Sequence, residues 1–468
     1  MTDLADLSAR ELASRIRRKE VSPVEAVRAA LARIEARREL NAFITVTADL
    51  ALDAARKAEQ QVMAGAALPP LHGVPYSVKD LTLTAGVRTT MGSLLYEQFV
   101  PQEDALPVAR AKAAGTILIG KTTTPEFGHK QGADAPIFGR TLNPVDPRFT
   151  CGASSSGAAV AVAAGMGPIA LGTDGGGSIR IPASCCGIVG LKPTLGHVAN
   201  LQPPDLFAAN SYVGPMARDV AGTALLYEAI RGGDGRDPYG QAPTPSGRAV
   251  PMALHGLRVA WLPRCGNRLD PEVEAASTAA VRLMEREGAI VETVELDFVS
   301  LERHFLVVLE SVLAARIGDQ LERFESRIDP SLAGAVRRGR EHSAVALHEA
   351  GFARTRCFAE LQALFERFDV LVSPTVSAPP LPVEQDPNGS VEIAGEPAGT
   401  IRGAWYPYTY PMNLTGHPAL SMPCGKSRLG LPIGLQLAGR WHDDRFLLGI
   451  AALLEARLGQ VASPDPLL

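Results

Sequence analysis

Apolar side chains recur at Val24, Val27, Leu31 and Ile34, three or four residues apart, which is the spacing of one helix face. That run opens on Ser22-Pro23-Val24-Glu25. A Ser hydroxyl and a Glu three residues on can each satisfy an orphan amide of the first turn, and Pro at the first position loses no hydrogen bond. Ser8 and Glu11 form the same pattern ahead of another helix, and a third is predicted over residues 48–64. Residues 73–78 read as a short strand ending at Lys79. An alanine-rich helix over 104–114 leads into a strand over 116–119. A helix over 155–164, a strand over 169–171 and a glycine loop follow.

The second half continues the alternation. Strands over 257–262 and 290–296 flank a helix from Pro271 to about Glu287, and residues from Leu301 to about Phe368 are mostly helical. A strand over 370–372 ends at Ser373-Pro374-Thr375. Residues 232–251 are rich in Gly, Pro and Asp and read as a surface connection. Residues 378–398 are rich in Pro and read as loop. Strands alternating with helices of this length predict an α/β fold, a sheet covered by helices on both faces.

Composition narrows the function classes. With 468 residues, 46% apolar and 21% charged, the chain reads as a soluble globular protein of one large domain or two to three ordinary ones. A net charge of −4 offers no basic face for nucleic acid. The longest near-apolar run, 157–172, is too short and too broken by Gly and Pro168 to span a bilayer. Six cysteines without C-x-x-C spacing favour neither zinc nor a disulfide framework. With a charged N-terminus lacking a signal-peptide core, they lead to the expectation of a reduced, cytoplasmic protein without metal or cofactor. Residues 115–122, GTILIGKT, match a phosphate-loop pattern, but the inner Thr-Ile-Leu-Ile is itself the strand, so no nucleotide site is expected.

The stretch 150–194 carries the candidate chemistry. It holds Ser154-Ser155-Ser156 and Gly175-Gly176-Gly177-Ser178 in an apolar setting with little charge beyond Asp174, Arg180 and Lys192. Three glycines can turn several amides toward one point beside a serine nucleophile, or they can simply make a turn. No G-x-S-x-G elbow is present, and His72, His129, His197 and His417 fall in loop-like places that suit structural hydrogen bonds. Lys79, at the end of an apolar strand, could be desolvated into a neutral base. On the residues alone, an exposed strand-end lysine or one paired with Asp80 is the favoured reading. Trp405, Tyr406, Tyr408 and Tyr410 could line an apolar cleft or belong to the core.

Several motifs together resemble the amidase signature family: HGVPYSVKD (72–80), GKTTTPEFG (120–128), CGASSSGAAVAVAAG (151–165), ALGTDGGGSIRIPASCCGIVGLKPT (170–194), MNLTGHPALSMPCG (412–425) and GLPIGLQLAG (430–439). The similarity runs through nearly the whole chain and is weakest between about 235 and 400. It implies one domain over 1–468 built on a large twisted mixed central sheet covered by helices. Within it, the N-terminal helices lie at about 1–65 and the catalytic core at about 66–230. A variable substrate-lining region follows at about 235–400, then a C-terminal core segment at 401–468.

The resemblance makes Ser178 the nucleophile, Ser154 the bridging serine on a cis peptide bond, and Lys79 the base. The amides of Gly175, Gly176, Gly177 and Ser178 form the oxyanion hole. Ser155 is expected to orient Lys79, and Asp174 with Arg180 to form a buried pair holding the loop. Gln131, Gly132, Ala133, Trp405 and Tyr406 are the expected substrate contacts. Ala153, Ser156 and Gly175 depart from the usual motif, where smaller residues precede and follow the serines and a larger one stands at 175. A more open oxyanion loop that admits a bulkier acyl group is the expectation.

The implied reaction is hydrolysis of small aliphatic or aryl amides, with esters and carbamates as related substrates and no cofactor, by a monomer or homodimer. The alternative is the amidase component of a tRNA-dependent amidotransferase.

Overall fold

The computed structural model describes residues 3–208, 210–240 and 248–459. The N-terminal helices form where their caps place them. In α1 (Ala9–Arg17) the Ser8 hydroxyl accepts from Glu11 N at 3.2 Å, but the Glu11 carboxylate turns to Arg15, so only half the box forms. In α2 (Pro23–Ala36) both halves form, Glu25 N to Ser22 Oγ at 3.1 Å and Ser22 N to Glu25 Oε2 at 2.8 Å. Helix α3 (Ala48–Met63) matches its expected span.

The remaining helices are α4 (Leu106–Ala113), α5 (Ser156–Ala163), α6 (Arg180–Cys186), α7 (Val220–Ile230), α8 (Pro271–Arg286), α9 (Glu302–Phe324), α10 (Pro330–Glu341), α11 (Ala344–Arg367), α12 (Tyr410–Thr415) and α13 (Asp444–Leu458). The strands are β1 (Phe43–Val46), β2 (Pro75–Lys79), β3 (Ile117–Thr122), β4 (Asp134–Ala135), β5 (Gly139–Arg140), β6 (Ile169–Asp174), β7 (Val189–Lys192), β8 (Tyr212–Ala217), β9 (Arg258–Trp261), β10 (Ile290–Thr293), β11 (Val370–Pro374), β12 (Ser390–Ile393), β13 (Glu396–Thr400), β14 (Ala419–Lys426) and β15 (Pro432–Ala438). No helix among the described residues is long and apolar enough to cross a membrane.

Eleven strands make one mixed sheet in the order β1-β3-β2-β6-β8-β7-β14-β15-β11-β9-β10. β2 runs parallel to β3 and β6, and β9 parallel to β10 and β11, while the other pairings are antiparallel. The period of two along each strand splits the core. Ile169, Leu171, Val189, Leu191, Val370, Val372, Leu435 and Leu437 point to one face, packed by α1, α4, α7, α8 and α13. Ala170 and Met216 point to the other, under α5 and α6, and Ala260, Leu371, Ala419 and Ala438 lie under α11 and α12. Burial on both faces explains why these strands read as continuous apolar runs. Leu171→Ala would cost roughly 2–5 kcal/mol at such a site.

Three expectations change. The strand over 116–119 runs on to Thr122 and the strand over 169–171 to Asp174, and the added residues carry polar chemistry. Residues 378–398 are not all loop, because β12 pairs with β13 across Ala394-Gly395. Both turn residues have positive φ, 56° and 77°, which suits a two-residue hairpin. Of the connection over 232–251, residues 241–247 lie outside the described residues.

Candidate active site

The site lies at the carboxyl ends of the parallel pair β2 and β6, where loops leave the sheet. β2 is buried along its whole length, and Lys79, its last residue, is fully buried. The Lys79 Nζ is 2.7 Å from Ser154 Oγ, 2.8 Å from Thr173 Oγ1 and 3.4 Å from Thr173 O. No carboxylate lies within ion-pair distance of it among the described residues. Burial holds its pKa well below the ordinary lysine range, and the charge of Asp174 offsets this only in part. A neutral amine beside a hydroxyl can take that hydroxyl's proton.

Asp80 is not the partner of Lys79. Its carboxylate accepts from Thr90 N at 2.8 Å and lies 3.7 Å from the buried Lys121 Nζ. Register explains this: Lys121 stands opposite Val78 on the neighbouring strand β3. Gly120 and Lys121 are strand residues, which removes the phosphate-loop reading.

Ser154 sits two residues ahead of α5, and the Ala153–Ser154 peptide bond is cis. Gln131 Oε1 accepts from Ala153 N at 3.2 Å. The turn Glu126–Gly128 lies over the hydroxyl, since a Cβ on Gly128 would come within 3.0 Å of Ser154 Oγ. Ser155 does not touch Lys79. Its hydroxyl donates to Thr173 O at 3.0 Å and accepts from Thr173 N at 3.2 Å, so it acts on the lysine through Thr173.

The loop after β6 is fastened by one carboxylate. Asp174 accepts from Gly177 N at 2.7 Å, Ile179 N at 3.1 Å, Asn413 Nδ2 at 2.9 Å and the Arg180 guanidinium at 3.0 Å. Arg180, also fully buried, donates onward to Asn413 Oδ1, Gln436 Oε1 and Thr409 O. Burial alone would raise the Asp174 pKa, but the Arg180 charge and these donors outweigh it and hold the carboxyl well below its usual range.

The three glycines differ. A Cβ on Gly177, whose φ is +126°, would meet Thr409 Oγ1 at 2.5 Å, and one on Gly176 would meet the Phe305 ring at 2.6 Å. A Cβ on Gly175 would meet nothing within 4 Å. The Gly177 amide is taken by Asp174, so it is not available to an oxyanion. The amides of Gly175, Gly176 and Ser178 have no acceptor among the described residues. Ser178 is 6% exposed, and its hydroxyl has no hydrogen-bond partner among the described residues. Ser155 N donates to Ser178 O at 3.0 Å and ties the two serine segments together.

A cavity of about 150 Å³ adjoins this centre, lined in part by Gln131, Gly132, Ala133, Leu381, Ile401 and Trp405. Lys79, Ser154 and Ser178 do not line it, so it lies to one side of these three side chains. Tyr406, Tyr408 and Tyr410 are core residues, and Tyr410 stacks on Phe305 at 5.1 Å. The histidines are structural: His72 bonds Ala58 O, His129 bonds Glu126 O and Ser331, His197 bonds Tyr227 and His442, and His417 bonds Thr415. Sequence reasoning missed Thr173, Thr409, Asn413 and Gln436. Only Thr173, next to Asp174 and the glycine loop, carried a local signal.

A family model described as Amidase matches residues 25–448. A component of the Glutamyl-tRNA(Gln) amidotransferase of Geotalea daltonii is 35% identical, over 97% of this chain and 97% of its own. An Acylamidase of Rhodococcus erythropolis is 34% identical, over 96% of this chain and 95% of its own. Among solved structures, a bacterial aryl acylamidase of the amidase signature enzymes superposes with a TM-score of 0.89 at 27% identity, covering 96% of each chain.

Proposed function

The chain belongs to the amidase family, an enzyme family that hydrolyses amide C–N bonds, and from that premise we propose that it cleaves small aliphatic or aryl amides through an acyl-enzyme on Ser178. The observation that carries this reading is the buried 2.7 Å contact between Lys79 Nζ and Ser154 Oγ. Neutral Lys79 takes the Ser154 proton as Ser154 takes that of Ser178. The Ser178 hydroxyl, unpartnered at rest, turns toward Ser154 as it attacks the carbonyl carbon. Negative charge on the carbonyl oxygen is met by the amides of Gly175, Gly176 and Ser178, each such donor being worth about 3–4 kcal/mol. Ser154 then returns a proton to the leaving nitrogen, and water cleaves the ester on Ser178. Esters and carbamates present the same carbonyl and enter the same sequence.

Intact-mass measurement during turnover of an anilide tests the assignment. An acyl adduct should appear on the wild-type chain, and Ser178→Ala should show neither adduct nor turnover. Appreciable turnover by Ser178→Ala would overturn it.

A second reading, an amidase component working inside a tRNA-dependent amidotransferase, is favoured by the 35% identity to the Geotalea daltonii protein. Hydrolysis of simple amides by the purified chain alone, as monomer or homodimer, separates the two. We favour the stand-alone enzyme, acting on small amides in the cytoplasm.

A further inference from the structure

The turn Glu126–Gly128 that covers Ser154 is flanked by two guanidinium groups without carboxylate partners. Arg402 Nη2 donates to His129 O at 3.4 Å, one residue past the turn. Arg316 lies over the Phe127 ring at 5.4 Å. Neither has a carboxylate within 4.0 Å among the described residues. Arg402 is partly buried, and its neighbours Ile401 and Trp405 line the 150 Å³ cavity. It therefore stands between the Ser154 turn and the segment that reaches Thr409, whose hydroxyl donates to Gly176 O at 2.7 Å.

The other charged groups nearby make no ion pair with either guanidinium among the described residues, and the buried Glu126 of the turn itself accepts from Ser93 Oγ at 2.5 Å and Asp329 N at 2.6 Å. Lys130 is held by Asp329 at 2.6 Å and Asp134 at 2.9 Å. Arg140 faces Glu384 at 3.3 Å, and Glu384 and Asp386 are exposed at the cavity's outer rim. Glu302, the carboxylate beside Gly403, accepts from Thr400 Oγ1 at 2.6 Å. A partly buried guanidinium that meets the Tyr406 side chain and His129 O but pairs with no carboxylate, one residue from the turn over Ser154, has donors left for an anionic group. Its planar fork matches a carboxylate.

Resting on the amide-hydrolase reading, we propose that Arg402, seconded by Arg316, anchors a carboxylate on the substrate, so that the substrate class is amides bearing an acid group.

The test is a pair of anilides releasing the same amine, the mono-p-nitroanilide of succinic acid and butyryl p-nitroanilide. A second pair puts the acid on the amine side, N-benzoylglycine against N-benzoylethylamine. One charge-assisted hydrogen bond should favour the acidic member of one pair by about 10- to 100-fold in kcat/KM, mainly through KM. Arg402→Leu should erase that ratio, Arg402→Lys should keep part of it, and Arg316→Gln should lower it by less. Raising NaCl from about 0.05 to 0.5 M should shrink the wild-type ratio. Equal kcat/KM within both pairs, or a ratio that survives Arg402→Leu, would overturn the proposal. Calorimetric titration of succinic acid monoanilide into Ser178→Ala reads the same contact without chemistry, and binding indifferent to Arg402→Leu would also overturn it. Turnover by Ser178→Ala, by contrast, would sink the acyl-enzyme reading and leave the charge ratio intact.

Discussion

Lys79 Nζ and Ser154 Oγ lie 2.7 Å apart, both shut off from solvent, with a threonine and no carboxylate completing the lysine's surroundings. A protonated lysine there would be a buried charge without a counter-ion, so the amine is the stable form, and its pKa lies well below 10.5. Only that form can accept a proton from Ser154.

Activity should therefore rise with pH as Lys79 loses its proton, and reach a plateau well below the ordinary lysine pKa of 10.5. The sign follows from the base being needed unprotonated in the resting enzyme. A kcat/KM profile on a neutral anilide measures it, and a maximum near pH 5 would contradict a lysine base.

Thr173 offers a sharper probe, because it contacts Lys79, the proposed base, and has no part in the proposed chemistry itself. Its hydroxyl is one of two side-chain oxygens holding Lys79, and its main chain is fixed by Ser155. Thr173→Val keeps the shape and removes the hydroxyl. The expected result is a fall in kcat of about 10-fold or more with KM little changed, and a displaced limb of the pH profile. A variant with an unaltered pH profile would place Thr173 in the fold alone.

The oxyanion loop should respond unequally along its length. Gly175→Ala meets open space and should retain most turnover of a small amide. Gly176→Ala must displace the Phe305 ring, and Gly177→Ala meets Thr409 and Ile181 at 2.5–2.6 Å in a left-handed backbone region. These two should lose about 100-fold or more in kcat, the scale of one misplaced oxyanion donor. Steady-state kinetics on one acetyl anilide suffices, and equal losses at all three positions would refute the distinction.

Read from the residues alone, what was legible in the chain was local, and the grouping of Lys79 with Ser154 and Ser178 was implied only by the family resemblance. The Ser22–Glu25 box, the periodicity from Val24 to Ile34 and the helix from Pro271 are set by neighbours a few residues away. Partnerships across the sheet were not legible. Whether Asp80 meets Lys79 or Lys121 depends on the register of β2 against β3. Asn413 and Gln436 reach Arg180 from more than 230 residues downstream, and nothing around them marks them as ligands of a buried ion pair. The withdrawal of the Gly177 amide needed the loop's actual path, because an Asp three residues before it can cap the turn or leave the amide free.

That same carboxylate makes the strongest stability prediction. Asp174 is the only acid facing Arg180 among the described residues, and it also holds two loop amides and Asn413. Asp174→Ala would leave a fully buried guanidinium without its counter-ion, a change that costs about 3–5 kcal/mol. Because the folded pKa is held below the ordinary 3.8, the wild-type contribution is complete above pH 3.8 and is lost as pH falls below it. The gap in thermal midpoint between wild type and Asp174→Ala should be wide at neutral pH and narrow as acid is added below pH 3.8. A gap that stayed constant into acid would mean that the ionised carboxylate is not what fastens the loop.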